Sequence, residues 1–274
     1  MYLPSFEIVS GSQPHQKTIF FLHGILGSRR NWLSFARQLI EKAPHWRAVL
    51  IDLRHHGESH GAPPPDDLRA CAQDVAQVAA TLGAEPAVVI GHSFGGKVAL
   101  MYAQEQATDL EELWVIDAPP GLRESRSRGD VESVFQVIGE LPLPIPGRRE
   151  LVDTLTARGL SVEVARWMTT NLRPAPGGVG FVWRFDLEAA TRMLRAYGAY
   201  DAWPVLEAPP SGVRPVLVRG GRSDRWLGDD LQRLSALAAA DRIGYHVIED
   251  AGHWLHTESP ERLQQLLAPT LSAP

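Results

Sequence analysis

Short apolar runs recur along the chain, separated by stretches with a helical period. The runs are Thr18–Leu22, Ala48–Leu53, Ala87–Ile90, Leu113–Ile116, Pro215–Val218 and Tyr245–Ile248. Side chains alternate across a strand, so a continuous apolar run is apolar on both faces. Such runs suit parallel strands covered by helices on both sides. Between them, Asp66–Leu82 opens after "PPPD", closes at Gly83, and carries Leu68, Val75 and Val78 as a helical stripe. Phe94–Gln106 follows Ser93 as a second helix. Pro260–Leu271 is a third, with Ser259 as its cap and proline in its first turn. Strand and helix alternating in this way predict an α/β sheet.

The alternation breaks between Pro119 and Pro209. That region holds "LPLPIPG" and "RPAPGGVG", amphipathic stretches at Val131–Ile138 and Leu151–Leu160, and Trp167, Trp183 and Trp203. It shows no run that reads as a sheet strand. The expected organisation is therefore a core domain made of 1–118 and 210–274, interrupted by a mostly helical cap over 119–209. There are no internal repeats and no low-complexity tails.

Composition narrows the picture only in places. A chain of 274 residues with 44% hydrophobic and 22% charged residues is ordinary for a soluble globular protein. A net charge of −5 argues against nucleic acid as partner. A single cysteine, Cys71, rules out a disulfide framework within the chain and suits a reducing compartment. "MYLPSFEIVSG" shows no basic segment followed by an apolar one, and no apolar run reaches the ~20 residues of a membrane span. These features predict a cytoplasmic protein with no membrane span.

The chemistry concentrates in "VVIGHSFGGK". A β-branched run stops at Ser93, flanked by Gly91 and Gly95. A strand that reverses sharply into a helix while presenting a side chain outward strains the serine backbone and leaves no room for bulk two residues either side. This is the G-x-S-x-G pattern of a nucleophile elbow, with Ser93 at a helix N-terminus. A serine needs a base. His253, in the turn after the last strand, is the candidate, with His256 as the fallback. The imidazole needs a carboxylate to set its tautomer. Asp224, past Pro215–Val218, is preferred because its loop is the usual acid position; Asp117, at the end of Leu113–Ile116, is the alternative. Oxyanion donors are expected from the N–H of Phe94, after the nucleophile, and of Ile25, in "FFLHGILGS". "DLRHHGES" carries Asp52, His55 and His56, but without the spacing of a zinc motif, and predicts a structural role at the pocket rim.

Together, "FLHGILGS", "DLRHHGES", "GHSFGGK", "VIDAPP", "WRFDLEA" and "DAGHWLHTESPE" resemble the α/β-hydrolase superfamily, most closely its small bacterial acyl esterases and their mitochondrial α/β-hydrolase-domain relatives. The resemblance implies an eight-stranded, mostly parallel sheet under a helical cap, and ester or thioester hydrolysis with no cofactor and no metal. It matches Ser93 to the nucleophile, His253 to the base, and Ile25 and Phe94 to the oxyanion donors. Some similar esterases use the aspartate of "VIDAPP" and lack one at the position of Asp224, whereas this chain has both. His55 stands where relatives usually have asparagine. Phe94 stands where they have methionine, which narrows the acyl pocket beside the nucleophile.

The expected function is cleavage of small to medium acyl esters or thioesters through an acyl-enzyme. The expected partner is thus a small-molecule substrate, with Trp167, Trp183, Phe181 and Tyr197 as candidate lining of an apolar pocket. The alternatives are a carbon–carbon bond hydrolase or a cofactor-free perhydrolase on the same triad, and a ligand receptor built on a hydrolase scaffold. A serine in place of a carboxylate nucleophile argues against haloalkane dehalogenase and epoxide hydrolase.

Overall fold

The computed structural model describes residues 2–123 and 130–272; residues 124–129 of the expected insertion lie outside the described residues. In chain order the elements begin with β1 (Phe6–Ser10), β2 (Lys17–Leu22), α1 (Arg30–Lys42), β3 (Trp46–Ile51), α2 (Leu68–Leu82), β4 (Val88–His92), α3 (Phe94–Glu105) and β5 (Glu112–Ile116). Next come α4 (Asp130–Gly139), α5 (Arg148–Ala157), α6 (Val162–Thr169), β6 (Leu172–Pro174), β7 (Phe181–Trp183), α7 (Leu187–Ala199) and α8 (Trp203–Glu207). The chain ends with β8 (Arg214–Gly220), α9 (Gly228–Ala239), β9 (Gly244–Ile248), α10 (Leu255–Glu258) and α11 (Pro260–Ser272).

Among the described residues seven strands form the main sheet, in the order β1-β3-β2-β4-β5-β8-β9. The count is one short of the eight expected. Every pairing is parallel except β1 with β3, which runs antiparallel in the register Phe6 opposite Ile51. Alternation along the strands divides the core in two. Phe20, Leu22, Val49, Val89, Val115 and Leu217 face α2 and α3. Ile19, Phe21, Leu50, Ile90, Trp114 and Val218 face α1 and α11, where Trp32, Phe35 and Leu263 cover them. A parallel sheet buried on both faces is the reason its strands read as unbroken apolar runs.

The helix α2 starts two residues later than its pattern predicts. Asp67 takes the N-cap, its side chain accepting from Ala70 N at 2.8 Å, and Gly83 closes the helix with φ +61°. Asp66 is left outside, paired with His55 and Arg192.

Between β5 and β8 the chain leaves the sheet. This stretch is mostly helical, as expected, but β6 and β7 pair into a two-stranded antiparallel ribbon where no strand was expected. Trp183 and Phe181 sit in that ribbon. The insertion is tied to the core at its root by Lys97 of α3. The Lys97 Nζ is fully buried and donates to the carbonyls of Gly121 (2.7 Å), Tyr197 (2.9 Å) and Tyr200 (2.7 Å). All three ammonium protons therefore have acceptors.

Candidate active site

In a parallel sheet the loops at the carboxyl ends of neighbouring strands share one rim, where ligands bind. Five such loops meet here. They follow β2 (Gly24–Gly27), β4 (Ser93), β5 (Asp117), β8 (Ser223–Trp226) and β9 (His253), and they line one cleft of about 880 Å³ with its open mouth included.

Ser93 joins β4 to α3 with φ +51° and ψ −118°, a conformation costly for a residue with a side chain. Its glycine neighbours are forced by contact. A Cβ on Gly91 would sit 2.1 Å from the Gly95 carbonyl, and one on Gly95 would sit 2.6 Å from the carbonyls of Leu22 and His23. The strand, the helix and the β2 loop thus close on the serine from three sides.

Asp117 ends β5 with φ +47° and is fully buried. Its carboxylate has four donors. Oδ1 accepts from Gly220 N (3.0 Å) and Trp226 Nε1 (2.9 Å); Oδ2 accepts from Ser223 Oγ (2.5 Å) and His253 Nδ1 (2.7 Å). The last bond puts the His253 proton on Nδ1 and leaves Nε2 as the ring's acceptor, with no protein partner among the described residues. The preference for Asp224 therefore does not match the geometry. Its side chain is 70% exposed and meets Arg225 instead, at 3.3 Å. Asp224 lies four residues past β8, beyond a turn that aims it outward, whereas Asp117 follows its strand directly. Ser223 and Trp226, neighbours of Asp224 in sequence, supply two of the bonds to Asp117; sequence reasoning passed over both.

His256, the fallback base, is buried against Trp32 and His92, with ring centroids 4.5 and 4.8 Å away. Burial, helped by the neighbouring imidazole of His253, pushes its pKa down to about 3, so it stays neutral. His92 donates from Nε2 to the His253 carbonyl at 2.8 Å and fixes the loop that carries the imidazole.

The candidate oxyanion donors are Ile25 and Phe94. Phe94 N is the first amide of α3, and helix start amides lack intrahelical acceptors. Among the described residues neither N–H has an acceptor in the protein. Ile25 sits in a tight turn closed by Gly27 N donating to Gly24 O at 3.0 Å, with Leu26 held at φ +61°. Gly24 packs on Ser93: a Cβ there would lie 3.4 Å from Ser93 Cβ.

Two buried histidines brace this turn. His56 Nδ1 donates to Arg54 O (2.9 Å), so its Nε2 accepts the Leu26 N–H (3.0 Å). His23 Nδ1 donates to Gly24 O (2.7 Å), and its Nε2 accepts Leu53 N–H (3.0 Å). Burial holds the pKa of His23 down to about 4 and that of His56 to about 3, which keeps both acceptors available. "DLRHHGES" is thus a brace, in line with the structural role expected of it. Asp52 accepts from Arg29 N (2.6 Å) and Glu58 N (3.0 Å), and Arg54 pairs with Asp74 at 2.8 and 2.9 Å. Among the described residues no cluster suits a metal ion.

Of the four aromatic candidates, Trp167 and Tyr197 line the cleft. Tyr197 packs beside Phe94 at 5.9 Å, and Trp167 faces Trp254 at 5.9 Å. Phe181 and Trp183 do not line it. Trp183 stacks on Phe185 at 5.2 Å, and Phe181 lies under Arg148. Both staple the ribbon to its neighbours. Val131, Val134, Val164 and Leu194 add to the apolar wall.

Comparison with known proteins shows the family. The family model described as "Alpha/beta hydrolase family" matches residues 19–265. The sn-1-specific diacylglycerol lipase ABHD11 of Danio rerio is 31% identical over 248 residues, covering 88% of this chain and 74% of that protein. Esterase YbfF of Escherichia coli is 25% identical over 251 residues, covering 91% of each. Among solved structures, one titled "Marine microorganism esterase" superimposes with a TM-score of 0.81 at 22% identity, covering 98% of this chain and 99% of that one. Among the described residues no helix is long and apolar enough to cross a membrane.

Proposed function

The chain belongs to the alpha/beta hydrolase family and is a carboxylesterase-type hydrolase, and from that premise we propose that it cleaves small to medium acyl esters or thioesters with Ser93 as nucleophile, His253 as base and Asp117, not Asp224, as the acid. His253 Nε2 takes the proton of Ser93 Oγ as the oxygen attacks the acyl carbon. The N–H groups of Ile25 and Phe94 meet the oxyanion of the tetrahedral intermediate. His253 returns the proton to the leaving alcohol or thiol, and an ester on Ser93 remains. Water, deprotonated by the same imidazole, then releases the acid. Asp117 stays ionised throughout, holding Nδ1–H and stabilising the imidazolium.

The carrying observation is the 2.7 Å bond from His253 Nδ1 to a buried carboxylate whose other lone pairs are already filled. A carboxylate so caged cannot swing away from the histidine. The segment 119–209 acts as a cap that supplies the apolar wall for the acyl chain. The fish relative is named for diacylglycerol, so that lipid belongs in the substrate panel beside 4-nitrophenyl esters and acyl thioesters of rising length.

The test is Ser93→Ala with 4-nitrophenyl butyrate. Loss of the nucleophile lowers kcat by about 10⁶-fold, the scale of triad removal elsewhere. Turnover within tenfold of wild type, in a variant with the native circular dichroism spectrum, would exclude the serine mechanism.

A further inference from the structure

The described residues that line the cleft include three with a formal charge: Asp117, Arg123 and Arg225. Asp117 is consumed by its four donors. Among the described residues of the cleft, no other acid answers the two arginines.

Arg225 is the more informative. Its side chain is only 11% exposed, although it sits on a surface loop. Among the described residues its one ion-pair contact is Nε to Asp224 Oδ1 at 3.3 Å, and Asp224 is 70% exposed, so that pair adds little. The contact lacks hydrogen-bond geometry, and the buried Nε has no hydrogen-bond partner. Among the described residues the guanidinium donates no hydrogen bond at all. The backbone beneath it is firmly held: Arg225 N donates to Ser223 Oγ, and the next residue, Trp226, donates its indole N–H to Asp117. A guanidinium carries five donors in a rigid fork suited to carboxylate or phosphate. Keeping such a group desolvated and unpaired is costly unless a partner arrives. Arg123 adds a second positive charge on the same wall. It lies over the Tyr197 ring at 5.9 Å, with its backbone fixed by Arg123 N donating to Gly198 O.

We propose that Arg225, assisted by Arg123, forms an anion subsite beside Ser93, so that the preferred ester or thioester carries a carboxylate or phosphate within reach of the cleft wall. The subsite rests on the hydrolase function proposed above and adds the substrate class. The anion has two possible sources: the far end of the acyl chain, as in a half-ester of a dicarboxylic acid, or the leaving group, as in a phosphorylated thiol.

Two matched pairs distinguish them. The first is 4-nitrophenyl hemiglutarate against 4-nitrophenyl pentanoate. The second is butyryl-coenzyme A against the butyryl thioester of N-acetylcysteamine. The wild type favours the anionic member of one pair by at least about tenfold in kcat/KM, the scale of one charge-assisted hydrogen bond. Arg225→Gln reduces that ratio about 10–100-fold, whereas Arg225→Lys, which keeps the charge but not the fork, retains part of it. The pair that responds to Arg225 names the source. Ratios near one in the wild type, or ratios that Arg225→Gln does not move, overturn the subsite even if all four substrates are cleaved. If none is cleaved, the hydrolase function fails instead. Calorimetric binding of glutarate then reads the subsite separately: binding lost in Arg225→Gln supports it, and no binding to the wild type overturns it.

Discussion

Replacing Asp117 by asparagine separates the two acids sharply, because the cage leaves the new amide a single place to go. Oδ1 receives two fixed donors, Gly220 N–H and Trp226 Nε1–H, so an NH₂ group there would oppose both. The NH₂ must replace Oδ2, where Ser223 Oγ can rotate to accept from it. His253 Nδ1 then faces a donor and must become the acceptor, which moves the ring proton to Nε2. In that tautomer the imidazole cannot take the Ser93 proton. Neutralising a triad acid in this way costs about 10⁴-fold in kcat, or about 5 kcal/mol of transition-state stabilisation. Asp224→Asn, on a side chain 70% exposed, should stay within about threefold of wild type. The assay is steady-state hydrolysis of 4-nitrophenyl butyrate by both variants at pH 8, with the native fold checked by circular dichroism. A crippled Asp224→Asn beside a near-normal Asp117→Asn would refute the assignment. Comparable large losses would mean that the two carboxylates act as one unit.

His56→Ala removes the acceptor that holds Leu26 N–H, so the Ile25 amide loses its aim. Expect kcat to fall about 10–100-fold with KM within about threefold, the signature of a defect felt in the transition state; equal shifts in both would point to general loosening instead. Stability is also tied to pH through the neutral buried histidines. The pKa of His23 is lowered to about 4 and those of His56 and His256 to about 3, so below pH ~6.5 the unfolded chain takes up protons that the native state refuses. Their contribution is present above pH ~6.5 and is lost progressively toward pH 4 and 3. The urea midpoint should therefore drop steadily between pH 6.5 and 4.5, and a flat profile there would contradict the assigned neutral state.

Much of the core is legible in the chain because burial on both faces writes strands as plain apolar runs. All six expected runs become strands whose ends shift by no more than three residues. The strand β1 escapes the same pattern for a physical reason: Phe6–Ser10 is a half-exposed edge, so polar Glu7 and Ser10 break the run. The antiparallel ribbon escapes because its two strands have three residues each, too short for any period to register. Ser93 and its glycines are legible because sterics restrict what can stand there. The acid is not. Asp117 and Asp224 both follow a strand, and only the backbone turn at Asp117 and the outward loop at Asp224 tell them apart. The cleft aromatics divide for a similar reason: Trp167 and Trp183 look alike in sequence, but one lies on a helix facing Trp254 and the other in the ribbon stacked on Phe185.

Lys97 bears on how this cap could be exchanged. Its three acceptors lie on both ends of the insertion, Gly121 on the way out and Tyr197 and Tyr200 on the way back. The ammonium knots the two legs together at their base, on the helix that follows Ser93. A chimera cut at 119 and 209 would bring foreign carbonyls to that knot and strand a buried cation. Splicing above it, after Arg123 and before Leu187, would keep α7 whole and leave the native legs, the guanidinium of Arg123 and the Tyr197 wall in place. A donor cap joined there inherits a foundation already squared to the serine, so the outer cap can be traded for a new acyl preference without re-engineering the site beneath it.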